Sequence, residues 1–180
     1  MASVHTTSIA QIHASSLRAM LVVTGGGTQA VADLLAVPGA SRTVLEVVVP
    51  YSEAALTEFL GASPHQAVSV ETAAALARAA YKRAVVLYAA AGPLVGVACT
   101  AALATDRLKK GAHRAHIGIS TAAETHVYSC TLTKGARDRQ GEERVVSDLL
   151  LTVLARACGL DVTLDGLLLA GEYIEEQSVA

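Results

Sequence analysis

The chain has 180 residues, 52% of them hydrophobic, with no Trp and one Phe, so a core must be built mainly from Ala, Val and Leu. This length is typical of one compact domain. The formal net charge of −2 lacks the basic excess of nucleic-acid-binding proteins, and no nucleic-acid partner is expected. Three separated cysteines without a CxxC pair indicate a reducing, intracellular compartment, with the cytoplasm as the first expectation.

The first strand–helix unit spans residues 20–36. Residues 20–23 are apolar, as in a strand covered on both faces. Residues 24–27 (Thr-Gly-Gly-Gly) interrupt the run, and the spacing predicts a helix over 28–36. A glycine turn before a helix leaves backbone N–H groups that suit an anion. The alternative is a tight turn without a ligand, because these glycines match neither common nucleotide-binding pattern.

The remaining pattern alternates strands and helices. Strands are predicted at 43–49, 94–101, 115–120 and 126–132, and helices at 52–61, 69–88 and 142–158. This order predicts an α/β fold, a three-layer α/β/α sandwich with a mixed, mostly parallel sheet. Residues 1–160 form the predicted domain, and residues 161–180 are expected to be a C-terminal extension or linker.

Residues 84–105 carry no charge over a length that could cross a membrane. The stretch is rich in alanine and contains Gly92-Pro93 at its middle, which would break a spanning helix. We therefore expect the end of a helix, a turn and a buried strand, with no membrane partner.

The most basic segment is 106–116. It is either a loop that contacts phosphate or an acidic partner, or an exposed connection. His113 and His116 suggest zinc by residue type, but side chains three apart in a strand point to opposite faces. No metal or cofactor is expected.

Several motifs recur in a fixed order after the first helix. The turn Val37-Pro38-Gly39 precedes a valine-rich strand and then Pro50-Tyr51-Ser52-Glu53, and AVSVETA at 67–73 opens a helix. On these residues the chain resembles the C-terminal domain of the competence/damage-inducible protein CinA, the nicotinamide-nucleotide amidase family, over roughly residues 8–158. It is also similar to the CinA-like region that plant proteins carry ahead of a nucleotidyltransferase domain.

The resemblance implies an amidase site at the carboxyl ends of the strands and an oligomeric domain. It places Thr24 at the family's nucleophilic serine and Tyr51 as an assisting hydrogen-bond donor. The implied ligand-binding residues are Gly25, Gly26, Gly27, Thr28, Ser52, Thr100 and Arg114.

The departures from the family pattern concern the chemistry itself. Val23 stands for the family's glutamate, Leu56 for its lysine, and alanines follow Thr100 where the family has glycines. A hydroxyl nucleophile without its activating group is weak. The favoured hypothesis is a degenerate amidase that serves as a non-catalytic oligomeric module or binds a small nucleotide ligand weakly.

The alternative is an amidohydrolase that converts nicotinamide mononucleotide to nicotinate mononucleotide and ammonia. Expected partners in either case are further copies of the chain, and a larger assembly or a fused nucleotidyltransferase domain.

Overall fold

The computed structural model describes residues 4–107, 110–163 and 168–180. The strands are β1 (Arg18–Thr24), β2 (Val44–Val48), β3 (Leu94–Ala102), β4 (His113–Ser120), β5 (Thr125–Leu132) and β6 (Tyr173–Ser178). The α-helices are α1 (Val4–Ala14), α2 (Thr28–Ala36), α3 (Glu53–Leu60), α4 (Val70–Leu87) and α5 (Arg139–Ala157), and a 3₁₀ turn covers Ala40–Arg42.

The six strands form one sheet in the order β2-β1-β3-β4-β5-β6. β1 pairs in parallel with β2 and β3, whereas β3, β4, β5 and β6 pair antiparallel in succession. Helices α1, α2 and α5 pack on one face, and α3 and α4 on the other. The predicted three-layer α/β/α sandwich with a mixed sheet is confirmed. The parallel part of the sheet is smaller than expected, because β4, β5 and β6 all add by antiparallel pairing.

Helix α4 lies unusually close to the sheet. A Cβ atom at Gly96 would be 2.2 Å from the carbonyl oxygen of Ala77, and one at Gly118 would be 2.4 Å from that of Ala73. Only glycine, which has no Cβ atom, leaves this space, so the backbone of α4 packs directly against β3 and β4. Ser69 caps the helix, since its hydroxyl accepts a hydrogen bond from the Thr72 N–H.

The uncharged stretch 84–105 divides between α4 and β3, with Pro93 between them. In the described part of the chain, no helix is both long and apolar enough to cross a membrane.

The tail contributes the sixth strand. β6 pairs antiparallel with β5, so residues 173–178 of the expected extension or linker belong to the sheet, while residues 164–167 lie outside the described residues. The side chain of Glu172 is fully buried and lies 2.6 Å from Arg137. Its carboxylate also accepts hydrogen bonds from the Thr133 and Leu169 N–H groups, which fastens the tail to the end of β5.

Burial alone would raise the pKa of Glu172, but the Arg137 guanidinium and the two N–H donors outweigh it and hold the pKa below the ordinary 4.5. Because the pKa of Glu172 is lower in the folded state, its carboxylate stabilises the fold at pH values above the unfolded-state pKa. This contribution is lost as the pH falls through the folded-state pKa.

We expect Glu172→Gln to lower the free energy of unfolding by about 2 kcal/mol at pH 7, because a buried charged hydrogen-bond network loses its charge. Urea unfolding at pH 7 and at pH 3.5–4.5 should show the difference from the unmodified chain shrinking in the acid range. Glu175→Gln, on the exposed part of β6, is the matched control. A difference that persists unchanged through the acid range would contradict this account.

Candidate functional site

Thr24 is the last residue of β1 and lies opposite Thr100 of β3 in the parallel register. Its side chain is on the α3/α4 face, as are those of Met20 and Val22. Thr24 is 7% exposed. Within the described residues, no ring nitrogen, amine or carboxylate is hydrogen-bonded to its hydroxyl. The predicted nucleophile is therefore at the carboxyl edge of the sheet without a base in contact.

The glycine turn fits against the end of β3. Gly25 has a φ of 77°, and a Cβ atom there would be 2.0 Å from the Ala101 carbonyl oxygen. Gly27 has a φ of 92°, and a Cβ atom at Gly26 would be 2.7 Å from a methyl group of Leu103. Close packing therefore requires these glycines whether or not a ligand binds.

At the start of α2, one backbone N–H group and one hydroxyl are occupied by a carboxylate of the chain itself. Glu143 Oε1 accepts hydrogen bonds from the Thr28 hydroxyl (3.1 Å) and from the Gln29 N–H (3.2 Å). Arg139 donates to the Gly25 carbonyl oxygen over 2.9 Å and lies 3.6 Å from the Glu143 carboxylate. The helix start does hold an anion, but that anion is an acidic side chain of α5 and not a ligand.

The motif after β2 does not enclose the nucleophile. Tyr51 is 66% exposed, and Ser52 caps α3 by accepting a hydrogen bond from the Ala55 N–H over 3.1 Å. Leu56 is 4% exposed and packs in the apolar cluster that contains Met20. The place that the family resemblance gives to a lysine is thus filled by a core side chain.

Thr100 and Arg114 hold the loop 61–69 rather than a vacant pocket. The Thr100 hydroxyl donates to the Ala67 carbonyl oxygen over 2.7 Å, and Arg114 donates to that of Val68 over 2.9 Å. A cavity of about 390 Å³ lies beside this loop, lined by residues such as Leu60 and His65, and Thr24 is not among its lining residues.

The histidines of the basic segment separate as predicted. His113 lies 2.6 Å from the buried carboxylate of Glu142 on the α5 face, whereas His116 lies on the α4 face and contacts Ser129. Residues 108–109 of the segment lie outside the described residues. Among the residues described, no group of three His, Cys, Asp or Glu side chains could hold a metal ion.

The cysteines do not supply a nucleophile to replace the weak hydroxyl. Burial raises the pKa of Cys99, with the Glu143 charge adding to the effect. Burial also raises the pKa of Cys130 to about 12 and raises the pKa of Cys158. All three thiols therefore stay protonated at neutral pH.

Thr24 and Thr100 lie opposite each other, the glycine turn packs against the end of β3, and Arg114 binds the same loop as Thr100. Thr28 instead contacts Glu143 of α5, Tyr51 is exposed, and Ser52 caps α3. Glu143 was not among the candidate site residues. It lies more than a hundred positions from the turn that it contacts, so no local pattern points to it.

No protein-family model matches the chain, and no curated protein matches its sequence. Solved structures do match its fold. A competence-damaged protein (CinA) superfamily protein from Enterobacter cloacae has 18% identity and a TM-score of 0.67, with 86% of this chain and 90% of that chain covered. The competence/damage inducible protein CihA from Agrobacterium tumefaciens has 17% identity and a TM-score of 0.70, with 89% and 98% covered.

A third CinA superfamily protein, from Escherichia coli, has 18% identity and a TM-score of 0.65, with 87% and 88% of the two chains covered. The chain therefore has the fold of the CinA superfamily, and the architecture implied by the sequence resemblance is confirmed.

We expect Glu143→Gln to lower the free energy of unfolding by about 1 kcal/mol, since the start of α2 loses a negative charge. Denaturant unfolding at low salt measures this change, and added salt should reduce it. Glu58→Gln on the exposed side of α3 is the control and should change stability by less than about 0.5 kcal/mol. Equal effects of the two substitutions would contradict the assigned role of Glu143.

Proposed function

We propose that this chain is a CinA-fold domain without nicotinamide-nucleotide amidase activity, and that it acts by association with further copies of itself. The observation that carries the proposal is the burial of Leu56. This side chain completes an apolar cluster with β1 and α4, where the family resemblance implies an activating amine.

A buried leucine cannot accept or donate a proton, so Thr24 lacks an activating group at this position. A threonine hydroxyl needs an adjacent base or a lowered pKa to attack a carboxamide. General-base assistance contributes about 10²- to 10⁴-fold to a rate, so its loss leaves little activity.

The second support is electrostatic. An oxyanion or a phosphate at the start of α2 would have to displace the Glu143 carboxylate from Thr28 and Gln29. A second negative charge beside that carboxylate would be repelled. Thr100 and Arg114 are also engaged with the loop 61–69, and their release would cost the hydrogen bonds that they make there.

Association is supported by apolar surface on the α3/α4 side. Val85 is 48% exposed and Val86 75% exposed near the end of α4, and Val49 is 47% exposed after β2. β2 is an edge strand of the sheet, with one side of its backbone unpaired in the described chain. Together these features supply an edge and an apolar surface that a second copy could cover.

The test is release of ammonia from nicotinamide mononucleotide by the purified chain, with Thr24→Val and an active nicotinamide-nucleotide amidase as controls. We expect no ammonia above the rate of the Thr24→Val sample, because that variant lacks the only candidate hydroxyl at this position. Light scattering on the same preparation should give a mass above the 18.4 kDa of one chain.

Two outcomes would contradict the proposal. Turnover by the unmodified chain that Thr24→Val abolishes would show that the chain is an amidase, with another group in place of the lysine. A mass of one chain at micromolar concentration would remove self-association as its role.

A further inference from the structure

A histidine and a serine form a second candidate site on the same face of the sheet. His116 of β4 and Ser129 of β5 lie directly opposite each other in the antiparallel register. The distance between His116 Nδ1 and Ser129 Oγ is 2.8 Å. This is the contact that a hydroxyl nucleophile makes with its general base.

The surroundings suit the two roles. His116 is 8% exposed, whereas Ser129 is partly exposed. Burial lowers the pKa of His116 and the charge of Arg114 lowers it further, while Glu71 opposes the shift. The imidazole is therefore neutral at pH 7 and can accept a proton from the Ser129 hydroxyl.

The pair is separate from the Thr24 site. Thr24, Thr100, His116 and Ser129 occupy one row across β1, β3, β4 and β5. Strands are spaced by about 4.8 Å, so Ser129 lies roughly 14 Å from Thr24. Thr100, bonded to the carbonyl oxygen of Ala67, stands between them.

The start of α4 lies beside the pair. The Ala73 backbone lies over Gly118, two positions along β4 from His116, and Val70 packs with Val127, two positions before Ser129. Glu71, in the first turn of this helix, acts on the charge of His116. The N–H groups of Thr72 and Ala73 are bonded to Ser69, so the first turn of α4 contributes the charge of Glu71 to the surroundings of the pair.

We propose that Ser129 is a nucleophile and His116 its general base for the hydrolysis of a small carboxylic ester. Ser129 Oγ bonds to the acyl carbon while its proton passes to His116 Nδ1. The C–O bond of the ester breaks, and the alcohol leaves with that proton. A water molecule then attacks the acyl-serine and gives a proton to His116. The bond between the acyl carbon and Ser129 Oγ breaks, His116 returns the proton to Ser129 Oγ, and the carboxylic acid leaves.

A fluorophosphonate ester, which phosphonylates activated serines, tests the pair without knowledge of the natural ester. Mass spectrometry of the labelled chain should place the adduct on Ser129, and Ser129→Ala should abolish it. His116→Gln should slow labelling by at least about 100-fold. Ser120→Ala is the matched control, because Ser120 is a strand serine bonded to Thr125 instead of a histidine, and labelling should be unchanged.

The pH dependence distinguishes a base from a structural partner. The labelling rate should rise with pH with its midpoint below pH 6.5, because His116 acts only when neutral and its pKa is lowered. Glu71→Gln should move the rising part of this pH profile to lower pH, because it removes the negative charge that raises the pKa of His116. The plateau rate should be unchanged. Absence of label on Ser129, or equal rates for His116→Gln and the unmodified chain when both are folded by circular dichroism, would overturn the proposal.

Discussion

The close approach of α4 to β3 and β4 is the constraint on which the arrangement of the domain depends. Gly96 and Gly118 have no side chains, so the backbone of α4 lies against β3 and β4. The buried side of α4 is mostly alanine, whose small side chains fit this short distance. This contact fixes where α4 begins. It thereby determines where the loop 61–69 crosses the carboxyl edge of the sheet, within reach of Thr100 and Arg114.

The first turn of α5 contacts the same carboxyl edge of the sheet from the face opposite α4. Glu142 accepts a hydrogen bond from the Ala104 N–H over 2.6 Å and contacts His113, and Glu143 accepts hydrogen bonds from the start of α2. Two adjacent carboxylates thus satisfy backbone donors of the loop after β3 and of the first turn of α2. A chain that supplies these anions internally gains stability at the edge, and the same donors are then less available to a ligand.

Local patterns predicted much of this fold. The bounds of α2 follow from features within a few residues of each other, namely the glycine turn and the helical spacing that comes after it. The strands predicted at 115–120 and 126–132 correspond to β4 and β5, each of which begins one or two residues earlier. The family resemblance added the place of Thr24 at the end of β1, which periodicity alone could not assign to a function.

Contacts between distant parts of the chain could not be predicted in this way. The Glu143 carboxylate, the bond from Thr100 to Ala67 and the pairing of His116 with Ser129 each depend on strand register or helix orientation, which a single sequence does not give. β6 was missed because YIEEQS carries too many polar side chains to suggest a strand. It forms at a sheet edge, where only Ile174 packs against the core.

The Glu143 carboxylate occupies the Gln29 N–H and the Thr28 hydroxyl at the carboxyl edge of the sheet, so neither donor is left for a ligand. Titration of nicotinamide mononucleotide into the isotope-labelled protein, observed through the backbone amide signal of Gln29, measures whether a ligand can take these donors. With Glu143 in place, we expect no saturable shift of this signal at millimolar ligand in the unmodified chain. A saturable shift of the Gln29 amide, with release from Glu143, would show that a ligand takes the carboxylate's place and would overturn the role assigned to Glu143.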